Sequence, residues 1–183
     1  MNEFDVWLED LSTEAVPGGV AAAAVAAAMG AALVAKAVRV TLKHHSIPQT
    51  SRPFLQEVLD GAGEQSSILL DLASADIRAF RAVLDLGPRR AGSPAARQVW
   101  LEATDVPIRV AEACQALLAS LPGLFGLCWP SVYPDLRTGG WLLEAAKQAG
   151  LLAAETNLHA LEDVAEAHSL RRRMRNLDDR RDN

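Results

Sequence analysis

Residues 18–43 read GGVAAAAVAAAMGAALVAKAVRVTLK, and this stretch decides the fold class. Alanine has the highest helix propensity of the amino acids, and no proline interrupts the run. From Val20 to Ala35 the stretch carries no charge, yet it is shorter than the roughly 20 apolar residues that a bilayer-spanning helix needs. We therefore predict a long helix that is buried in the core of a soluble protein and does not enter a membrane.

The rest of the chain shows the same helical character. Apolar residues recur at intervals of three and four, and no segment shows sustained alternation with period two. The pattern predicts further helices over residues 4–12, 51–86, 93–120 and 135–177, with the longest loop over residues 122–134. Together these elements predict an all-α fold: one domain, residues 1–183, in which five to six mostly long, antiparallel helices form a bundle.

Charge and cysteine content narrow the class of protein. A net charge of −5 argues against binding to a nucleic-acid backbone, which depends on neutralising phosphates with Lys and Arg. Cys114 and Cys128 form no Cys-x-x-Cys motif, and the four histidines lack the spacing of a helical metal-binding pair. The N-terminal residues are acidic, unlike those of a secretory signal. We expect a cytoplasmic protein that has no metal site and binds no nucleic acid.

Asp76 is a candidate for acid–base chemistry. It lies among the apolar residues Ile77, Phe80 and Leu84 of a predicted helix. Burial in such surroundings raises the pKa of a carboxyl group towards neutrality, where the group can both accept and donate a proton. Asp76 is therefore either the acid or base of a site or an ordinary solvated residue on the helix surface.

A basic stripe, Lys36, Arg39 and Lys43, lies along one side of the Ala-rich helix, because its members are three and four residues apart. The ordinary interpretation is a solvated helix end, where the helix dipole favours cations. The functional alternative is a binding site for an anionic ligand. Asp135 follows the long predicted loop, at a position where a carboxylate commonly caps a helix.

Short motifs follow one another along nearly the whole chain. They are Pro17-Gly18-Gly19, Thr41-Leu42, Asp76-x-x-Ala79-Phe80, Val106-Pro107, Asp135, and Asn157-Leu158 with Asp163. In this order they resemble the formiminotransferase-cyclodeaminase C-terminal family, which includes folate cyclodeaminases and methenyltetrahydrofolate cyclohydrolases. The resemblance implies an all-helical homodimer with a folate pocket between its helices, and a tetrahydrofolate derivative as substrate rather than a separate cofactor.

The resemblance also implies roles for individual residues. A cyclohydrolase adds water to the methenyl carbon of a reduced folate and opens the ring, whereas a cyclodeaminase closes a ring and releases ammonia. Asp76 would be the catalytic acid or base of either reaction. The basic stripe, Lys36, Arg39 and Lys43, would bind the anionic glutamate tail. Asp76 would then face the same pocket within ligand reach of this stripe, which helix geometry allows because the helix that contains Asp76 could return antiparallel to the Ala-rich helix. The remaining substrate-binding positions would be Gly18, Gly19, Asp135 and Asn157.

Several polar residues of the family pattern are replaced in this chain. The family commonly continues the two glycines with Gly-Ser, has Asn before the Thr-Leu pair and Lys after it, and has further Ser and Asn residues. The residues found at these positions are Val20, Ala21, Arg39, His44, His45, Pro134 and Ala153. Polar groups that would line a folate site are therefore missing. A non-catalytic dimeric relative that binds another small ligand or a protein partner is the alternative to an enzyme.

Ala22, Ala26 and Gly30 form a small-residue face, because they are spaced by four along the Ala-rich helix. Such a face lets another backbone approach closely, either in the same subunit or in a second one. Together with the family resemblance, it suggests a homodimer with an apolar interface.

Overall fold

The computed structural model describes residues 2–86, 93–161 and 165–178. Its α-helices are α1 (Glu3–Thr13), α2 (Gly19–Leu42), α3 (Arg52–Asp85), α4 (Pro94–Leu118), α5 (Leu121–Phe125), α6 (Tyr133–Leu158) and α7 (Ala165–Leu177). Single turns of 3-10 helix lie at Gln49–Ser51 and Pro130–Val132. No β-strand occurs among the described residues, and the predicted all-α bundle is confirmed.

The Ala-rich helix α2 is the central element of the bundle. It packs against both α3 and α6, and α4 packs against the same two helices. Ser66 on α3 donates a hydrogen bond to the Ala28 carbonyl, while Asp76, ten residues later, accepts one from Ala21, so α2 and α3 are antiparallel. Eleven of the 24 residues of α2 are buried. The charge-free stretch therefore contributes to the core, as its sequence predicts.

The backbones of α2 and α6 touch where the two helices cross. A Cβ atom added at Gly30 would lie 2.9 Å from the carbonyl oxygen of Gly139, and one added at Gly139 would lie 2.8 Å from that of Gly30. Both distances are too short for a side chain, so glycine is required on each helix. The small-residue face thus serves a contact within the chain at Gly30, whereas Ala22 and Ala26 remain partly exposed.

Among the described residues, two segments have the length and hydropathy of a membrane-spanning helix: Gly19–Leu42 and Pro94–Phe125. The core helix of a soluble protein passes the same test, so burial within the fold is the relevant observation. In the most apolar window of the first segment, 56% of the residues are buried inside the fold, and 44% are buried in that of the second. The buried share of α2 agrees with the core position predicted for it.

The predicted long loop over residues 122–134 is wrong. Helix α5 and the 3-10 turn Pro130–Val132 occupy much of this segment. Leu121, Leu124 and Val132 are buried, so the segment is folded onto the core rather than lying free over the surface. Its prolines do not prevent helix formation here, because Pro122 and Pro130 lie in the first turns of their elements, where a missing N–H costs little.

The predicted continuous helix over residues 135–177 is also wrong, because α6 ends at Leu158 and α7 begins only at Ala165. On α7, the Arg173 guanidinium binds Glu112 and Asp105, both on α4. These ion pairs hold the returning helix against α4, which sequence periodicity does not reveal. Asp163 of the family motif and residues 87–92, between the helices predicted over 51–86 and 93–120, lie outside the described residues.

Helix α1 is the least integrated element. A capping box between Asn2 and Asp5 defines its start. Its apolar residues include Phe4 and Trp7, whose rings stack with centroids 6.1 Å apart. None of the α1 residues is buried, and Phe4 and Leu8 are each about half exposed. The apolar side of α1 therefore stays largely uncovered by the described part of the chain.

Candidate functional site

The Asp76 carboxylate lies at the N-terminus of α2. Its Oδ2 accepts a hydrogen bond of 3.2 Å from the backbone N–H of Ala21, although Asp76 itself belongs to α3. The first N–H groups of a helix have no partner within the helix, and Gly18, the N-cap of α2, has no side chain to accept from them. Asp76 supplies an acceptor from the neighbouring helix and places a negative charge at the positive end of the helix dipole.

The pKa of the Asp76 carboxyl is shifted towards neutral pH. Burial raises the pKa of its carboxyl from the ordinary 3.8 to about 6, and the hydrogen bond from Ala21 acts in the opposite direction. Burial dominates because it disfavours the charged form more strongly than one backbone N–H stabilises it. Near neutral pH the group exchanges between its acid and its base forms, which suits a proton-transfer role.

Gly18 and Gly19 leave open space at the same end of α2. A Cβ atom added at either position would meet no atom within 4 Å beyond its chain neighbours and its own helix. The backbone there is therefore accessible to a bound molecule. The next two residues differ in exposure: Val20 is partly exposed, whereas Ala21 is fully buried. The N-terminus of α2 thus combines a titratable carboxylate with uncovered backbone.

The structure brings together two other predicted residues, Lys36 and Asp135. The Lys36 ammonium lies 2.8 Å from the Asp135 carboxylate, and their side chains are 57% and 30% exposed. Asp135 is in the first turn of α6, whose N-cap is Val132, so the capping alternative for Asp135 is wrong. Arg39 on α2 and Lys43, the C-cap of α2, are exposed, and neither has an ion-pair partner among the described residues.

Within one chain, the structure separates Asp76 from the basic stripe. Asp76 meets α2 at Ala21, and Lys36 follows 15 residues later, about 22 Å away along the helix axis. Lys43 is about 33 Å away by the same measure. The two groups of predicted site residues therefore lie towards opposite ends of α2, and the predicted proximity of Asp76 to the basic stripe is wrong within one chain.

Asn157 binds the backbone of α4. Its Nδ2 donates a hydrogen bond of 2.7 Å to the carbonyl oxygen of Ala103. Pro107 lies four residues after Ala103 inside α4, and because proline has no N–H, that carbonyl has no helical donor. Asn157 replaces the missing donor. Its substrate-binding role stays a prediction, and the amide already has this structural task.

Polar contacts hold the C-terminal end of α2 in place. Thr41 is fully buried, and its hydroxyl accepts a 2.9 Å hydrogen bond from the backbone N–H of Trp129. The His44 ring stacks on Trp129 with centroids 3.7 Å apart. Arg52 donates hydrogen bonds to the carbonyls of Leu42, the last residue of α2, and of His44 beyond the helix. The Thr41-Leu42 motif pointed to this end of α2, but nothing in the sequence indicated Trp129 or Arg52 as partners.

A buried lysine on α6 was not predicted. Lys147 is 1% exposed, and its ammonium donates a 3.0 Å hydrogen bond to Gln115 and lies 3.4 Å from Glu144. Burial, with a contribution from Glu144, raises the pKa of the nearby Cys114 thiol to about 12, so this cysteine stays protonated. Among the described residues no group of three His, Cys, Asp or Glu side chains is placed to hold a metal ion.

A separate cleft of about 680 Å³ lies between α6 and α7. Leu151, Leu158 and Met174 provide apolar lining, and Arg171 and Arg175 contribute charge. None of the predicted site residues lines it. The N-terminus of α2 is thus the place where the structure joins a titratable group to predicted substrate-binding positions.

Comparisons with known proteins agree with the fold. Residues 4–176 match the sequence model of the formiminotransferase-cyclodeaminase family. The crystal structure of formiminotetrahydrofolate cyclodeaminase from Thermotoga maritima matches with a TM-score of 0.85 and 22% sequence identity, covering 95% of this chain and 85% of that one. At this identity the structural match establishes a shared fold. A comparison with curated proteins gives no match.

Proposed function

Because this chain belongs to the formiminotransferase-cyclodeaminase family, we propose that it converts the one-carbon unit of a reduced folate, as a methenyltetrahydrofolate cyclohydrolase or a formimidoyltetrahydrofolate cyclodeaminase. The single observation that carries the proposal is Asp76, a carboxyl group whose pKa is raised to about 6 beside the open N-terminus of α2. A group that is neutral and charged in comparable amounts near pH 6 can serve both proton-transfer steps of such a reaction.

The two reactions use Asp76 in corresponding ways. In a cyclohydrolase, the carboxylate takes a proton from the water that attacks the methenyl carbon, and the resulting acid returns a proton to the nitrogen that leaves when the ring opens. In a cyclodeaminase, the carboxylate takes the proton from the folate nitrogen as that nitrogen bonds to the one-carbon unit, and the resulting acid gives a proton to the departing amine, which leaves as ammonia when the ring is closed. Gly18 and Gly19 would allow the folate to approach the backbone. A side chain of the protein, Asp76, would therefore accept and donate the protons in either reaction.

We also propose that the active form is a cytoplasmic homodimer that binds folate and neither nucleic acid nor a membrane. The basic stripe, Lys36, Arg39 and Lys43, would bind the glutamate tail, with Lys36 held by Asp135. The partly exposed Ala22 and Ala26 leave apolar surface on α2 for a second copy. Light scattering that gave a monomer mass at micromolar concentration would contradict the homodimer.

A non-catalytic relative is the second candidate. Ala21 stands where the family pattern has a polar residue, and it is fully buried next to Asp76, so its side chain offers no hydrogen bond to a ligand. Such a protein would keep the dimeric helical scaffold while binding another small molecule or a protein. Proton-transfer chemistry is not required in that case.

Two assays on the purified protein distinguish these functions. The decay of methenyltetrahydrofolate absorbance reports cyclohydrolase activity, and ammonia release from formiminotetrahydrofolate reports cyclodeaminase activity. We expect one of the two to exceed the rate of the uncatalysed reaction clearly. If neither does, and calorimetry detects no binding of either folate, the enzyme proposal is wrong and the non-catalytic candidate replaces it.

A further inference from the structure

Helix α1 presents an apolar stripe that the fold leaves uncovered. Phe4, Trp7, Leu8 and Leu11 are spaced by three and four residues, so they share one side of the helix. Phe4 is 49% and Leu8 46% exposed, and α1 packs against no other helix of the described chain. Helices in proteins are stabilised mainly by packing an apolar face against a neighbour. α1 therefore lacks a surface on which to bury its stripe.

A second uncovered stripe lies on the last turns of α3. Ile77, Phe80 and Leu84 follow a similar spacing, and Arg81 lies beside them on the same side of the helix. Phe80 is 36% exposed, Leu84 is 50% exposed, and Ile77 is partly buried. We call these four residues the α3 end stripe. Contiguous apolar surface of this kind marks a site of contact with another element.

The α3 end stripe extends beyond the start of α2. Asp76 is level with Ala21, because a hydrogen bond joins the two residues. Since α2 and α3 are antiparallel, the residues that follow Asp76 continue past the first turn of α2. Leu84 lies about 12 Å further along the axis of α3 than Asp76. The first turn of α2 therefore does not extend to Leu84.

The connection between α1 and α2 determines how far α1 can move. Residues 14–18 join Thr13 to Gly19, and five residues span at most about 18 Å. α1 is about 16 Å long, and the α3 end stripe is about 11 Å long. α1 can thus reach the stripe of its own chain while every helix stays folded. Its C-terminal end then lies near Asp76 and its N-terminal end near Leu84, so the docked α1 runs antiparallel to α3.

Charge favours the same docking. Helix α1 contains Glu3, Asp5, Glu9 and Asp10 and no basic residue. Arg81 of the α3 end stripe is exposed and has no ion-pair partner among the described residues. Complementary charges on facing surfaces steer association and fix its register. The two surfaces therefore match in charge as well as in apolar character.

We propose that α1 is a lid, which docks on the α3 end stripe of its own chain and closes over the Asp76 carboxyl and the open backbone at Gly18 and Gly19. The structure shows the open position, in which Phe4 and Leu8 are exposed. Closing excludes water from the carboxyl and from a molecule bound beside it, and opening lets that molecule exchange. The docking is independent of the substrate, whereas its effect on turnover rests on the proposed function.

A disulfide tests the closed position. Phe4 and Leu84 are both about half exposed, and antiparallel docking brings them together. Phe4→Cys combined with Leu84→Cys should form a disulfide within one chain on mild oxidation, seen at monomer mass on a non-reducing gel. Phe4→Cys with Leu70→Cys is the matched control, because Leu70 is also half exposed but lies about 21 Å from Leu84 along α3. Single-cysteine variants show any reaction with the native Cys114 and Cys128.

Two results of this experiment would overturn the lid. One is a disulfide between two chains, seen at dimer mass, because α1 would then dock on a second copy. The other is cross-linking through Leu84→Cys that is no faster than through the Leu70→Cys control. Circular dichroism should confirm that both double variants are folded.

Charge reversal tests the docking surface. In the protein with Phe4→Cys and Leu84→Cys, Arg81→Glu places a negative charge opposite the acidic helix α1, so disulfide formation should slow several-fold. Arg78→Glu is the matched control, because Arg78 is also exposed on α3 but points about 120° away from the centre of the stripe. Equal rates for the two charge reversals would show that α1 does not meet this stripe.

Turnover separates the lid from the proposed function. If both hold, the oxidised protein with Phe4→Cys and Leu84→Cys should turn over folate at least about tenfold more slowly than its reduced form, because bound molecules cannot exchange. Unchanged turnover in the oxidised protein would mean that α1 docks without covering Asp76, and the lid would be wrong. A disulfide within one chain, in a protein that neither turns over nor binds folate as wild type, would keep the docking and reject the proposed function. Folate turnover without this disulfide would keep the function and reject the lid.

Discussion

The two ends of α2 use polar groups in different ways. At the C-terminal end, Thr41 and Arg52 satisfy backbone groups of Trp129 and of the last helical turns. At the N-terminal end, Gly18 provides no cap, and a single carboxylate from α3 accepts one hydrogen bond. Paired buried groups stabilise a structure, whereas a partly buried acid with few partners retains a proton that it can exchange. The C-terminal contacts therefore hold the scaffold, and the N-terminal end is available for chemistry.

The largest expected effect comes from removing the acid at the N-terminal end. Asp76→Asn keeps the shape and loses the ionisable group, so kcat/KM for the active folate substrate should fall by roughly 100-fold. Asp71→Asn is the matched control, since Asp71 is an exposed residue of the same helix. Steady-state kinetics measures both variants. Equal activity of Asp76→Asn and the control would remove the chemical distinction between the ends of α2.

The next effect concerns the close contact between α2 and α6 at Gly30, which lies between the two ends of α2. Gly30→Ala forces a methyl group to within 2.9 Å of the Gly139 carbonyl, so the helices must shift and stability should drop by about 1–3 kcal/mol. Gly63→Ala is the control, because a Cβ there meets no atom within 4 Å and Ala favours helix, which should stabilise by about 0.5–1 kcal/mol. Urea denaturation measures both. A neutral Gly30→Ala would mean that α2 and α6 move apart freely.

A smaller effect is expected at the C-terminal end. Thr41→Val keeps the side-chain volume but removes the acceptor for the Trp129 N–H, so stability should fall by about 1–2 kcal/mol without a direct effect on the Asp76 carboxyl. Thr138→Val, at an exposed position of α6, should change stability little. Thermal denaturation and folate turnover are measured for each variant. Turnover that falls in proportion to the loss of stability would show that the two ends are not independent.

The last effect is a pH dependence of stability. Because the pKa of Asp76 is about 6 in the folded state and 3.8 is its ordinary value, the folded state binds more protons between these pH values. This contribution therefore favours folding at low pH and is lost as the pH rises through about 6. Wild type should lose stability relative to Asp76→Asn over this range, as chemical denaturation at a series of pH values would show. If the difference in stability between wild type and Asp76→Asn did not change with pH, Asp76 would lie in a more solvated environment than the structure shows.

The helical fold and the family were accessible from the sequence because both depend on signals along the chain. The Ala-rich composition and lack of charge identified α2 as a core helix, and the ordered motifs identified the family, as residues 4–176 confirm. The apolar neighbours of Asp76 predicted its raised pKa. Local sequence is sufficient for these properties, since burial on a helix follows from periodicity.

The antiparallel return of α3 along α2 was anticipated from the sequence, but the position of Asp76 relative to the basic stripe was predicted wrongly. Two antiparallel helices joined by a short connection place residues equally far from the turn side by side, so Asp76 lies opposite the start of α2 and away from the stripe near the turn. The tasks of Asn157 and Lys147 needed the structure, because each depends on which turn of α4 faces α6. The apolar neighbours Leu143 and Leu151, four residues on either side of Lys147, were the available signal for its burial.

The bond between Asn157 and the Ala103 carbonyl has an evolutionary consequence. The amide is needed only because Pro107 withholds the donor that an ordinary helical residue would supply. A descendant that replaced Pro107 by alanine would restore that donor and release Asn157 from its structural task. Loss of Asn157 alone would instead leave a partly buried carbonyl without a partner. The two positions are expected to change in a fixed order during divergence, with the proline lost before the asparagine.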